Sequence, residues 1–316
     1  MMFRNKVPVY VINGFLECGK TTFIKETLAD PYFSDGGTTL LLACEEGEEE
    51  YSKKELKNTG TVLVQVEGKE EFHSDFLKAC HKEFHPTQVV IEYNGMWGMD
   101  HLRDMELPDG WFLAQIITLA DAGTFDLYMQ NMKSLFMDMA RDADLIIFNR
   151  CVDGTTADAY KRNMRATNPK AQVEFEREFG ETFEFEETLP YDIDAEVIEI
   201  EDIDFGIWYV DATDHPEHYE GKTVRFKGMV YKERSLGNSY FVPGRKVMTC
   251  CADDVAFLGF LCHTQNLDKL KRGQWITVTA QVRYEEKREY SGQRGPVLYT
   301  KALKSAEAPE NEIVSF

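Results

Sequence analysis

The chain has 316 residues with 55 acidic and 35 basic side chains, a formal net charge of −20. A field of that sign repels phosphate backbones and excludes non-specific nucleic-acid binding. The length allows about two domains, and no run of about 18 apolar residues offers a membrane span. The seven cysteines are odd in number, and the start MMFRNKVPVYVING lacks the shape of a signal peptide. Free thiols or metal ligands in a cytoplasmic protein are therefore expected, rather than a disulfide framework.

In chain order, residues 7–12 (VPVYVI) predict a short buried strand, and a Gly-rich loop leads from it into a helix over 20–28. Further strands are predicted over 39–43, 61–66, 88–92, 114–119 and 144–148. Helices are predicted over 74–83, with Ser74 or Asp75 near its N-cap, over 121–141 and over 157–166. The Met- and Phe-rich stripe of 121–141 reads as core packing. This alternation predicts an α/β fold over residues 1–180, a doubly wound, mostly parallel sheet. Residues 181–204 read as an acidic linker with short strands. From 205 to 316, β-type segments at 222–231, 247–251, 256–262, 275–284 and 297–303 predict a small β-barrel of OB-like type.

Between the first strand and the first helix, Gly14-Phe-Leu-Glu-Cys-Gly19-Lys20-Thr21 matches G-x-x-x-x-G-K-[ST] without a gap, in the strand–loop–helix context of a P-loop NTPase. The glycines let the loop wrap an anion. Backbone N–H groups from Glu17 through Cys18, Gly19 and Lys20 to Thr21 would point at the phosphates, helped by the helix N-terminus. Lys20 would neutralise the β- and γ-phosphates, and the Thr21 hydroxyl would ligate Mg²⁺. Glu92 closes the run VVIE and is followed two residues later by Gly95. A strand-end acid with that glycine fits the magnesium side of such a site. Asp121, after IITLA, is the competing acid.

These residues carry a resemblance. Gly14-Phe15-Leu16, then Gly19-Lys20-Thr21-Thr22, Glu92-x-x-Gly95 and the run Ala143 to Arg150 (ADLIIFNR) resemble the CobW-type GTPases, relatives of the nickel-insertion GTPases, over about residues 5–175. The resemblance implies GTP hydrolysis coupled to delivery of zinc, cobalt or nickel to a client metalloprotein. It implies that Asn149 reads the base, with Asp153 one place later than in the family's N-K-x-D. It also implies that Glu45, in Cys44-Glu45-Glu46-Gly47, is the acidic switch residue near Mg²⁺ or the attacking water. The stretch 62–66, where the family carries C-x-C-C, has no cysteine. The C-terminal runs Tyr219 to Gly228 and Val247 to Asp253 resemble the soluble domain of an uncharacterised bacterial family.

Candidate zinc ligands are Cys250, Cys251, Cys262 and His263. A thiolate and imidazole set suits Zn²⁺, and the competing reading is a set of small buried residues in a barrel core. Cys44 with Glu45, Glu46 and His73, and the pair His81 and His85, are further candidates set against a solvated loop and a surface pair. The expected cofactors are GTP and Mg²⁺, with Zn²⁺ as a further candidate. The expected partners are the nucleotide and a client or partner protein, with a homodimer considered and no nucleic acid or membrane insertion. The leading expectation is a GTP hydrolase with Lys20, Thr21, Glu45 and Glu92 in the reaction. The alternative is a nucleotide-gated protein-binding switch with negligible hydrolysis and no metal role.

Overall fold

A computed structural model describes residues 6–34, 36–47, 49–186, 188–248 and 255–314. The chain divides into two units, Met1–Phe185 and Glu186–Phe316.

The first unit is built on seven strands: β1 (Val7–Gly14), β2 (Thr39–Ala43), β3 (Thr61–Gln65), β4 (Gln88–Glu92), β5 (Trp111–Asp121), β6 (Leu145–Asn149) and β7 (Gln172–Phe175). They lie in the order β3-β2-β4-β1-β5-β6-β7, and every pairing is parallel. The helices are α1 (Lys20–Ala29), α2 (Lys53–Asn58), α3 (Ser74–Phe84), α4 (Asp100–Arg103), α5 (Phe125–Asn131), α6 (Lys133–Asp142) and α7 (Ala157–Thr167). Helices cover such a sheet on both faces, which is why its strands read as continuous apolar runs: all five residues of β2 and of β4 are buried. From β1 the chain goes to the β2 side first and returns to β5 on the other side. The C-terminal ends of β1 and β4, where Ile12 is in register with Glu92, therefore flank the crevice at which open α/β sheets bind ligands.

The single helix expected over 121–141 is two helices. Strand β5 runs on to Asp121, and Met132, at φ −136°, separates α5 from α6. The N-cap of α3 is His73, whose Nδ1 accepts from the Phe76 N–H at 3.3 Å, rather than Ser74 or Asp75.

The second unit contains β8 (Ile198–Glu199), α8 (Phe205–Asp214), α9 (Pro216–Tyr219), β9 (Thr223–Tyr231), β10 (Tyr240–Met248), β11 (Val255–Gly259), β12 (Leu261–His263), β13 (Trp275–Glu286), β14 (Arg294–Ser305) and β15 (Ile313–Val314). Strands β9, β10, β12, β14 and β13 close on themselves through the β10–β9 and β13–β9 pairings. Only β12–β14 is parallel within that ring. This is the five-stranded Greek-key barrel of the OB type. Its core includes Val224, Phe226, Phe241, Cys262, Val278 and Leu298, with Trp208 from α8 packed in. Ile198 and Ile200 are buried in the same core.

Three segments differ from expectation. Of the strand expected at 247–251, residues 247–248 close β10 and 249–251 lie outside the described residues; β10 itself begins at Tyr240, although Pro243 and Gly244 argue against a strand interior. They are tolerated because β10 passes from β9 to β11 at this point: a Cβ on Gly244 would lie 2.2 Å from the Leu258 carbonyl oxygen. The strand expected at 256–262 is broken at Phe260 into β11 and β12. Helix α8 was not expected, since FGIWYVDATD is rich in aromatic and β-branched residues of strand preference. Burial of Phe205, Trp208 and Ala212 overrides that preference.

Candidate functional site

The loop after β1 is held in a conformation that only its own sequence permits. Gly14 (φ 142°) has no room for a side chain, because a Cβ there would lie 2.4 Å from the Leu119 carbonyl oxygen and 2.6 Å from Cys18 Sγ. Gly19 (φ 94°) is the left-handed N-cap of α1. That cap has no side-chain hydrogen bond, and the first turn of α1 contains no acidic residue. The first N–H groups of a helix have no intrahelical partner, so here the helix start is left open to an anion and unopposed by a carboxylate.

Lys20 turns back along the loop. Its Nζ donates to the carbonyl oxygens of Gly14 at 3.0 Å and Phe15 at 2.7 Å, and lies 2.5 Å from Glu45 Oε1. Lys20 is almost fully buried. The Glu45 carboxyl is raised by burial, against which the neighbouring Lys20 ammonium pulls it down. Thr21, one residue on, donates from Oγ1 to Glu92 Oε1 at 2.6 Å. The other Glu92 oxygen accepts from the Tyr51 hydroxyl at 2.8 Å. Burial pushes the Tyr51 phenol up, so it stays a donor. Gly95 is packed against the loop itself: a Cβ there would lie 2.6 Å from the Gly14 carbonyl oxygen and 2.7 Å from Met139 Sδ.

On the other flank, Asn149 at the end of β6 donates from Nδ2 to the Cys18 carbonyl at 2.7 Å. Its buried Oδ1 has no hydrogen-bond partner among the described residues. Arg150 (φ 54°) donates from Nη1 to the Glu17 carbonyl at 3.0 Å and to Asp121 Oδ2 at 2.5 Å. A cavity of about 100 Å³ lies over the loop, lined by Glu17, Gly19, Lys20, Thr21, Thr22 and Glu45 among others. It shares Gly19, Thr22 and Arg150 with a second cavity of about 310 Å³, also lined by Asn149 and Glu176.

The structure thus brings Gly14, Glu17, Cys18, Gly19, Lys20, Thr21, Thr22, Glu45, Glu92, Gly95 and Asn149 to one crevice. It places Asp153 elsewhere: that carboxylate is exposed and pairs with Arg177 Nη2 at 2.8 Å. Asp121 is engaged by Arg150 rather than by Thr21. Two residues that the sequence did not single out belong to the site, Tyr51 and Arg150. Tyr51 ends an acidic run with no periodicity, and Arg150 stands where the family's motif has lysine.

Two of the four candidate zinc residues are described, Cys262 and His263. Cys250 and Cys251 lie outside the described residues. Cys262 is fully buried in the barrel core, with its thiol raised by that burial. His263, next along β12 and so on the opposite face, packs edge-on against Tyr240 and tilted against Tyr299. The Cys44 thiol is buried and raised by burial. His81 Nδ1 accepts from Trp111 Nε1 at 2.9 Å. The described cysteines Cys18, Cys44, Cys80, Cys151 and Cys262 are all free thiols, and among the described residues no helix is long and apolar enough to cross a membrane.

A glycine-bounded loop between strand and helix, a buried lysine folded onto it and a hydroxyl–carboxylate pair at the strand ends define a P-loop nucleotide-binding domain. Residues 8–175 match the model of the CobW/HypB/UreG nucleotide-binding domain. That is more than half of the chain, which belongs to this family of P-loop GTPases. Residues 178–314 match the DUF1980 C-terminal domain. No curated protein matches the chain. Among solved structures, it is similar to the hydrogenase maturation factor HypB from Archaeoglobus fulgidus, at 17% identity and a TM-score of 0.41 over 57% of this chain and 85% of that one. It is also similar to the Zn(II)-bound YjiA GTPase from E. coli, at 17% identity and a TM-score of 0.43 over 73% and 75%. A third is HypB from Helicobacter pylori in complex with nickel, at 14% identity and a TM-score of 0.34 over 55% and 80%.

Proposed function

We propose that the first unit binds GTP with Mg²⁺ at the loop from Gly14 to Thr21, hydrolyses it, and couples that cycle to the delivery of a transition metal to a client protein. The observation that carries the reading is the 2.6 Å contact between Thr21 Oγ1 and Glu92 Oε1. Mg²⁺ takes hard oxygen ligands, commonly one or two protein groups with waters and phosphate oxygens completing the octahedron. A hydroxyl and a carboxylate already in contact beside the loop fit that requirement, and Tyr51 holds the carboxylate in place from its other oxygen.

The chain's own residues divide the work. Lys20 and the amides of Glu17 to Thr21 stabilise charge on the transferred phosphoryl group, which is most of what phosphoryl transfer asks of a protein. Glu45 leaves Lys20 when the phosphates arrive, and then orients the attacking water or the ion's hydration shell. Asn149 meets the base in the larger cavity. Its unpaired buried Oδ1 is a cost of about 1–3 kcal/mol that an N–H donor of the base would remove. With Asp153 paired to Arg177, guanine selectivity rests on Asn149 and the cavity wall. We set it at about tenfold over adenine, roughly 1.4 kcal/mol.

The test is a titration with GTP and ATP, with and without Mg²⁺. Lys20→Ala should abolish binding of both nucleotides. Thr21→Ala and Glu92→Gln should retain Mg²⁺-free binding and lose the gain that Mg²⁺ confers. Unchanged affinity in Lys20→Ala sinks the phosphate assignment, and an undiminished Mg²⁺ effect in both other variants sinks the ion's.

A further inference from the structure

The corner between α8 and α9 in the second unit carries side chains that nucleotide chemistry does not use. Its sequence is His215-Pro216-Glu217-His218. Pro216 opens α9, where its missing N–H costs nothing and its fixed φ favours the turn. The short helix then returns His218 beside His215: the two rings lie 5.0 Å apart at 22°. His215 Nδ1 is 3.2 Å from Glu217 Oε1. His215, Glu217 and His218 each offer a ligand atom, all within 4.8 Å of one another, and they are the group of this kind found among the described residues.

We propose that His215, Glu217 and His218 form a binding site for a Zn²⁺-class divalent cation, a function of the second unit separate from the nucleotide site. Three arguments carry it. The first is the spacing. Zinc bonds of about 2.0–2.1 Å to imidazole and carboxylate subtend an N···O edge of roughly 3.3 Å in a tetrahedron, and the His215–Glu217 pair stands at 3.2 Å. The cation enters between groups already at ligand separation.

The second is the support behind His218. Its Nδ1 is 3.1 Å from Asp211 Oδ2. Asp211 is buried and also accepts from the Tyr219 hydroxyl at 2.6 Å, which in turn meets the Tyr191 hydroxyl at 2.8 Å. A carboxylate on one imidazole nitrogen fixes the tautomer and leaves the other nitrogen as the ligand, the arrangement by which metal-bound histidines are oriented. A surface histidine pair without a role would not need a buried aspartate and two tyrosines behind it.

The third is access and donor type. The side chains of His215 and His218 are about one-third exposed and that of Glu217 about two-thirds, so an ion can enter from solvent. Two imidazoles and a carboxylate are nitrogen and oxygen donors of borderline hardness, suited to Zn²⁺, Co²⁺ or Ni²⁺ and unsuited to Mg²⁺ or Ca²⁺. Three protein ligands leave a fourth position open to water or to a donor from another molecule.

The experiment uses the untagged full chain, stripped of metal and free of nucleotide, titrated with Co²⁺ and then Zn²⁺. One equivalent of Co²⁺ should give the visible bands of a four-coordinate nitrogen–oxygen site without a thiolate charge-transfer band, and Zn²⁺ should displace it. The double variant His215→Gln/His218→Gln should lose that equivalent. Glu217→Gln, at an exposed position that folding does not need, should weaken binding at least tenfold. Asp211→Asn should keep the stoichiometry and weaken affinity about 10- to 100-fold. Cys250→Ser/Cys251→Ser and Lys20→Ala should both retain the equivalent. The proposal is overturned if wild type takes up neither ion, if the histidine and Glu217 variants both bind like wild type, or if all bound Co²⁺ shows thiolate charge transfer.

Discussion

Replacing Glu45 by glutamine asks whether this carboxylate competes with the nucleotide for Lys20. Glu45 Oε1 lies 2.5 Å from Lys20 Nζ, with 10% of the glutamate and 1% of the lysine side chain exposed. An ammonium has three donors, and the Gly14 and Phe15 carbonyls take two of them, so a phosphate must displace Glu45 to reach the third. A hydrogen bond with a charged partner contributes about 1.5–3 kcal/mol, and one between two opposite charges lies at the top of that range. Glutamine still accepts from the Lys20 ammonium, as a singly charged pair at the bottom of it. The obstacle therefore falls by about 1–1.5 kcal/mol, and Mg²⁺-free nucleotide affinity should rise roughly five- to tenfold. With Mg²⁺ present, turnover should fall in the same variant, because the proposed reading gives Glu45 the orienting of water. The assay is an equilibrium titration with a fluorescent GTP analogue in chelator, beside single-turnover hydrolysis with Mg²⁺. Burial raises the Glu45 carboxyl, so lowering the pH through that raised value neutralises the competitor in wild type. The affinity ratio of Glu45→Gln to wild type should thus be greatest above that value and approach one below it. Taking the ratio cancels the nucleotide's own titration. Equal or weaker affinity in Glu45→Gln, or a ratio indifferent to pH, would refute the reasoning.

Two other substitutions probe the frame around the sites. Gly95→Ala places a methyl 2.6 Å from the Gly14 carbonyl oxygen, an overpacking that costs about 1–3 kcal/mol. It should lower the thermal midpoint and weaken nucleotide binding together, since that carbonyl holds Lys20; an unchanged midpoint would show that the contact relaxes freely. In the barrel, Asp202 accepts from Arg245 Nη1 at 2.9 Å, and Arg245 is fully buried. Asp202→Asn keeps a neutral acceptor but removes the charge that balances the buried guanidinium, whose other partners are the Asn311 carbonyl and the Trp275 face. It should destabilise the second unit by about 2–3 kcal/mol, read as an earlier urea transition, and a transition within error of wild type would contradict it.

What could be read in advance follows from how local each signal is. The β1–loop–α1 segment is contiguous, its glycines have steric reasons that chain geometry alone supplies, and parallel strands buried on both faces announce themselves as apolar runs. Glu92 was legible as a strand-end acid for the same reason. Tyr51 was not, because its contact with Glu92 spans 41 residues and nothing in a run of glutamates marks its last residue. The start of β10 and helix α8 are not legible, because Pro243, Gly244 and the β-branched residues of α8 express local preferences that closure and covering of the barrel overrule.

The order of residues along the chain was enough to place a P-loop between the first strand and the first helix, and to mark the lysine and threonine proposed to serve it, because those atoms are neighbours in sequence. Only the folded chain decided which carboxylate meets Thr21, which one occupies Lys20, and that Asp153 turns away from the crevice. Those choices depend on where strands laid down dozens of residues apart end in space, and strand register and helix packing set that position, while composition and spacing leave it open.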